Sequence, residues 1–368
     1  MDPLTATRGH ERDISFVLVT GAGASRDLGA RGSQLPLMGD WSDFLVKKLA
    51  AHPAYLEASG LKNGMLGEDF EAQLGRFLQQ VRAFPLISEV LAPSVQFQQT
   101  PGLSEPLLKQ WHQQAEFHLQ AIVDLIHQSL YEQFGTDAFD LQGAIQAYGA
   151  LFQTLQINSA TPFVCATTNY DPIAEHAITG QGWLADWGEP HTPHGEAPID
   201  VHGLLDAMPR YVPILHLHGR VGWYRRTEPD TRVYATTTTQ HQRGFGTPIV
   251  MLPDPNKVYD DDDVINTLWQ QFAEALARAR RVLVLGHSLN DRAVLRALTQ
   301  NVQPLTRVGV TVLASDDRSG TPHESATPVM DTVRQHLAGA ETIPVRFGRG
   351  AAEMAELATW VANTGAFL

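Results

Sequence analysis

The stretch ISFVLVTGAGASRDLGARG, Ile14 to Gly32, decides the fold. Ile14–Thr20 is apolar at both odd and even positions, the pattern of a strand buried on both faces. A glycine turn follows at Gly21 and Gly23, and then a short run compatible with a helix. Strand, glycine turn and helix together form phosphate-binding architecture. Glycine lets backbone N–H groups approach a phosphate, and a helix N-terminus favours negative charge. Gly21 and Gly23 occupy the first two positions of the dinucleotide fingerprint, but Arg26 stands at the third. No second strand ending in an acid follows about 20 residues on, as a dehydrogenase needs. The motif predicts a bound nucleotide without predicting a dehydrogenase.

Further short β-rich runs lie at Thr161–Thr168, Val212–Leu217, Pro248–Leu252, Arg281–Gly286, Arg307–Ala314 and Thr342–Phe347. Helical patterns separate them. The clearest is Asp261–Arg280, where Ile265, Leu268, Trp269, Phe272 and Leu276 form one apolar stripe. Acidic residues at its start suit the helix dipole. From Trp41 to about Gln156 only helical patterns appear, while Ile178–Met208 and Arg225–Thr247 read as irregular. This order predicts an α/β fold, a Rossmann-like open parallel sheet with a large helical insertion. The expected divisions are a mobile tail at 1–13, a nucleotide-binding α/β domain from 14–41 and 157–368, and a helical insert at 42–156.

Composition narrows the function classes. The chain has 368 residues, 43% of them hydrophobic and 18% charged, enough for a large globular core. No apolar run reaches the roughly 18 residues of a membrane helix, so no membrane association is expected. The formal charge of −13 argues against direct nucleic-acid binding. Cys165 is the only cysteine, which excludes an intrachain disulfide or a four-thiolate metal site. Residues 1–13 are charged and carry no secretory signal. A cytoplasmic protein is the expectation.

Three later segments point at the same place as the glycine turn. TTNYD puts Asn169 and Asp171 after one strand; LHLHG puts His218 and Gly219 after another. VLVLGHSLND presents Gly286, Ser288, Asn290 and Asp291 after a third. Ligands of open α/β sheets bind at the carboxyl ends of strands, so these groups are predicted to converge on one crevice. The bland alternatives are that Asn169, Asp171 and Asp291 cap helices and that His218 is an interior histidine. A second cluster, Glu189, His191, His194, Glu196 and His202, has metal-ligand chemistry. Its prolines and glycines break any helix that would align those ligands, so a solvated or lid loop and no metal are expected.

GAGAS, TTNYD, HG and GHSLND, in that order, resemble the sirtuin family, and within it the bacterial sirtuin-like NAD-consuming enzymes of antiphage defence. Sirtuin deacylases carry a four-cysteine zinc module soon after the HG motif, and this chain has no cysteine there. The resemblance implies NAD as a substrate and no metal. It implies that Asn169 orients the ribose or the attacking water and that His218 is the general base. Asp171 would contact the nicotinamide side or hold Asn169. Gly21, Ala22, Gly23 and Ser25 would line the pyrophosphate, with Gly219 beside the base. Gly286 and Ser288 would meet the adenosine ribose or phosphate, and Asp291 would hold the adenosine half or cap its helix. His216 lies two residues before His218 and is the lesser candidate, because glycine follows His218. The implied activity is an NAD glycohydrolase, gated as a homo-oligomer or by a defence partner such as a HerA-like translocase. The alternatives are an NAD-dependent protein deacylase or ADP-ribosyltransferase, and a non-catalytic sensor of NAD or ADP-ribose.

Overall fold

The structure, a computed structural model, describes residues 13–50, 121, 123–189, 197–226, 232–236, 246–251, 262–315, 321–348 and 354–364. Its central sheet has seven strands in the order β11-β10-β9-β1-β2-β5-β3, and every pairing is parallel. These strands are β1 (Phe16–Thr20), β2 (Phe163–Thr167), β3 (Ala185–Asp186), β5 (Val212–His216), β9 (Arg281–Leu285), β10 (Arg307–Leu313) and β11 (Glu341–Val345). The central strands β1, β2 and β5 are buried at all five positions. This is why their sequences carry no polar alternation.

Helices cover both faces. On one face lie Asp263–Arg278 and Arg292–Asn301, joined by Val333 and Leu337 from the region of the Thr327–His336 helix. On the other lie Leu141–Thr154, Ile173–Gly180 and Ala355–Asn363. The stripe of Ile265, Leu268, Trp269, Phe272 and Leu276 is at most 2% exposed. The Asp262 carboxylate caps that helix by accepting from the N–H groups of Val264 and Ile265 at 3.0 and 3.1 Å.

Of the proposed insert at 42–156, residues 51–120 and 122 lie outside the described residues, as do 1–12 of the tail. What is described of that interval is helical: Met38–Ala50, a run at 123–134 and Leu141–Thr154.

A second sheet escaped the sequence reading. Four antiparallel strands run in the order β4-β7-β6-β8: β4 (Ala197–Pro198), β7 (Val233–Ala235), β6 (Gly219–Arg225) and β8 (Thr247–Val250). It takes up residues 248–250 of the run at 248–252, which reads like one more strand of the main sheet. It also orders parts of both intervals expected to be irregular. Strands of two or three residues are too short to show a period. The chain passes between the sheets in a two-residue turn, Leu217–His218, from the end of β5 to the start of β6. Gly219 makes that turn possible. Its φ is +73°, and a Cβ there would overlap the Ile249 carbonyl oxygen.

The chain runs from β1 to β2 on one side and returns later as β9 on the other, so the sheet reverses direction of growth at β1. Such a switch point opens a crevice at the strand C-termini. Gly286, which follows β9, has φ +62°, and a Cβ on it would overlap the Ala24 backbone nitrogen. Gly286→Ala is therefore expected to lower stability by about 2–4 kcal/mol, through left-handed strain plus overpacking. Gly182→Ala, at φ +76° with nothing within 4 Å, should lose only about 1 kcal/mol. Urea unfolding of the two variants measures the difference; equal losses would refute the close-packing account.

Candidate functional site

The two glycine turns fit into each other. Gly21 N–H donates to the Leu285 carbonyl at 3.0 Å, and Gly23 N–H donates to the Gly286 carbonyl at 2.8 Å. A Cβ on Gly21 would lie 2.8 Å from the Gly286 oxygen, and one on Gly23 would lie 2.9 Å from the same oxygen. The absence of side chains therefore serves contact between the β1 and β9 turns. Gly23 and Gly286 still line the crevice, whereas Gly21 is packed behind it. The helix after the turn is a single turn, Ala22–Ser25, continued by a 3-10 turn at Arg26–Leu28.

Asn169 follows β2 and is buried, 8% exposed. Its Nδ2 donates to the Gly21 carbonyl at 3.1 Å and to Ser25 Oγ at 2.9 Å. Its own N–H donates to Thr167 Oγ1 at 3.1 Å. The TNYD and GAGAS motifs are thus one hydrogen-bonded unit. Asp171 accepts from the Ile173 N–H at 3.0 Å at the start of the Ile173–Gly180 helix and is also engaged by Ser25. Burial pushes its carboxyl up to about 6; the Ile173 N–H pulls it back, the Glu175 charge adds to the rise, and Ser25 and His216 oppose it.

His218 and His216 occupy different worlds. His218 opens on the crevice, with its Nε2 2.9 Å from Asp291 Oδ2. The rings of Tyr170 and Trp269 lie near it, each centroid 6.4 Å away. His216 is fully buried, with Nε2 3.2 Å from Glu175 Oε1. Glu175 also pairs with Arg220, whose Nη1 lies 2.7 Å from Glu189 Oε1. Trp223 Nε1 donates to that same Glu189 oxygen at 2.8 Å. Burial alone would raise the Glu175 carboxyl, but His216 and Arg220 hold it down to about 2. Glu189 is thereby committed to a structural network. His191, His194 and Glu196 lie outside the described residues. Among the described residues no three His, Cys, Asp or Glu side chains are placed to hold a metal ion. Cys165 is buried in β2, and burial pushes its thiol far above the ordinary range.

The crevice has a volume of about 1110 Å³, at the upper end of small-molecule sites. Ala22, Gly23, Ser25, Asn169, Asp171, His218, Gly286, Ser288 and Asp291 all line it; Gly21 and Gly219 stand behind as backbone supports. Asp291 does cap the Arg292–Asn301 helix, accepting from the Ala293 and Val294 N–H groups at 2.9 and 3.4 Å. Several lining residues had no signal in the sequence. Trp41 and Phe134 reach the wall from the edge of the helical interval and from within it. Phe134 packs edge-on against Tyr170 with centroids 5.7 Å apart. His287, inside the GHSLND motif, also lines the crevice; its Nδ1 accepts from the Leu289 N–H at 2.9 Å.

Comparison with known proteins gives a consistent but partial likeness. Residues 164–326 match the SIR2-like domain, a span holding TTNYD, HG and GHSLND but less than half of the chain. No curated protein matches in sequence. Similar solved structures include a SIR2 homologue–NAD complex, at 11% identity over 95% of this chain and 90% of that one, with a TM-score of 0.37. A mutant Sir2 homologue with ADP-ribose gives 11% identity, 97% of each chain and 0.36. Sir2Tm bound to a propionylated peptide gives 12% identity, 96% of this chain, 94% of that one and 0.33. With overlaps this loose, the fold assignment rests on the strand order itself.

The buried Asp171 carboxylate makes a test by titration. Its folded-state pKa of about 6 exceeds the unfolded value near 3.9, so the native state holds the proton more tightly. Its ionisation therefore subtracts stability as pH rises from about 4 through 6, by up to about 3 kcal/mol. Asp171→Asn removes this slope. The stability of that variant relative to the parent should rise by about 2–3 kcal/mol between pH 4 and pH 7 in urea unfolding. A difference independent of pH would show that Asp171 ionises normally.

Proposed function

We propose that the protein is an NAD glycohydrolase, cleaving NAD to nicotinamide and ADP-ribose, and that it serves as a gated effector of bacterial antiphage defence. The observation that carries this reading is that Asn169 and His218, from the ends of two different strands, open onto the same crevice as the glycine turns. The likeness to the SIR2-like domain and to Sir2 homologues holding NAD or ADP-ribose supports the choice of substrate.

The bond to be broken joins ribose C1′ to a cationic ring nitrogen. Its electron pair returns to that nitrogen, so nicotinamide leaves neutral and needs no general acid. The chain must hold the ribose and present water to the opposite face. Asn169, tied to Gly21 and Ser25, is rigid enough to orient the ribose or that water. As the water oxygen bonds to C1′, its proton passes to His218. The apolar rings of Phe134 and Tyr170, packed edge-on with centroids 5.7 Å apart in the crevice lining, would help exclude other water from the reacting bond. No step requires a Lewis acid. Phe134 and Trp41 in the crevice wall offer a physical route for gating, since movement of the helical region would open or close the site. A homo-oligomer or a HerA-like translocase would act through that region.

Purified protein should release nicotinamide from NAD without an acyl-lysine peptide, and thorough chelation should leave the rate unchanged. His218→Ala and Asn169→Ala should each lower the rate by on the order of 10²-fold or more. Release that depends on an acyl-lysine peptide would establish a deacylase instead, and NAD binding without turnover would establish a sensor. Activity should rise with assembly; full activity in a dilute monomeric preparation would refute gating through self-association.

A further inference from the structure

We infer that Asp291 is a positioning residue for His218, fixing which imidazole nitrogen takes the proton, rather than a contact for the adenosine half of the substrate. The inference rests on the glycohydrolase reading for its kinetic consequence but not for its geometry.

One carboxylate does two jobs. Oδ1 caps the Arg292–Asn301 helix through the Ala293 and Val294 N–H groups. Oδ2 lies 2.9 Å from His218 Nε2, and both side chains are at most 10% exposed. The cap fixes the carboxylate in place, and the N-terminal end of the helix favours its anionic form. A ring-nitrogen lone pair facing an anion at 2.9 Å would be repelled, so the nitrogen on the side of the carboxylate carries the proton. Nε2 is then the protonated nitrogen of neutral His218, and Nδ1 is left as the base.

The backbone on the other side of the pair is equally fixed. The Leu217 N–H donates to the Thr167 carbonyl at 2.9 Å, and the Leu217 carbonyl accepts from Trp269 Nε1 at 2.9 Å. The His218 carbonyl accepts from the Met251 N–H at 2.8 Å. Tyr170 and Trp269 lie near the ring, each centroid 6.4 Å away, and the Asp291 carboxylate selects its rotation about the last side-chain bond. The pair also spans the switch point: His218 follows β5 on one side of β1, and Asp291 follows β9 on the other.

Asp291→Asn and Asp291→Ser test this, because both residues cap helices well and keep the fold. Neither presents an anionic acceptor to Nε2. Melting temperatures close to the parent's, a KM for NAD within about twofold, and a kcat lowered by on the order of 10²-fold or more are expected. Unchanged kcat, or a raised KM with kcat retained, would overturn the inference, the second outcome pointing to substrate binding. A separate measurement does not need turnover. Nitrogen-15 NMR of histidine-labelled protein, assigned with His218→Ala, should show neutral His218 protonated at Nε2 in the parent, with that preference lost in Asp291→Asn. Protonation at Nδ1 in the parent would overturn the inference. If the Nε2 form is found but no NAD is cleaved, the glycohydrolase reading fails and the pairing stands.

Discussion

The site depends on a backbone-to-backbone contact between two turns that are more than 250 residues apart in the chain. Gly21 and Gly23 at the end of β1 pack on Gly286 at the end of β9, and the Gly23 N–H bonds the Gly286 carbonyl. No side chain fits between them. The contact brings the two arms of the sheet together at the switch point and sets the height of the crevice floor. Asn169 then hydrogen-bonds to the Gly21 carbonyl, so a polar side chain from β2 is referenced to the same contact. The glycine pattern associated with phosphate binding here has a prior structural duty. Close approach to a ligand is possible because the turns are already close to each other.

Beneath the crevice lies a second constraint of a different kind. Glu175, Arg220 and Glu189, with His216 set against Glu175, form a largely buried polar chain linking the Ile173–Gly180 helix, β5 and β6. Buried charges contribute little net stability, but they strongly disfavour arrangements in which one partner is lost. Such a network fixes how the small antiparallel sheet sits against the main one. His218 occupies the two-residue turn between those sheets, so its position follows from that docking. The same burial makes Asp171 a reluctant anion while Glu175, beside a guanidinium, ionises readily. Two carboxylates four residues apart thus serve opposite electrostatic ends.

The crevice is also a meeting of distant parts. Phe134 and Trp41 come from the helical region, Asn169 and Asp171 from the segment after β2, His218 from the turn after β5, and Asp291 from the segment after β9. A site assembled from so many segments is sensitive to small shifts in any one of them, because catalytic geometry degrades over distances of about 1 Å. That sensitivity makes the helical wall a physically reasonable lever for control.

The sequence by itself determined six of the seven strands of the parallel sheet; the seventh, β3 at Ala185–Asp186, lies in an interval that reads as irregular. Strands buried on both faces read as unbroken apolar runs, and a helix such as Asp263–Arg278 declares itself through five core residues at helical spacing. It also singled out Asn169, Asp171, His218 and Asp291, because polar groups just after apolar strands fall at strand ends in any open sheet. Tertiary structure alone decided what those residues touch. Nothing local tells that Asp291 both caps a helix and meets a histidine from the far side of β1, or that His216 and His218 face different partners. It alone revealed the antiparallel sheet, whose shortest strands carry no readable period, and the reach of Phe134 into the crevice. Local pattern records how a segment meets the core. Contacts between segments depend on how the whole sheet is ordered, and that order is set by packing over the entire chain.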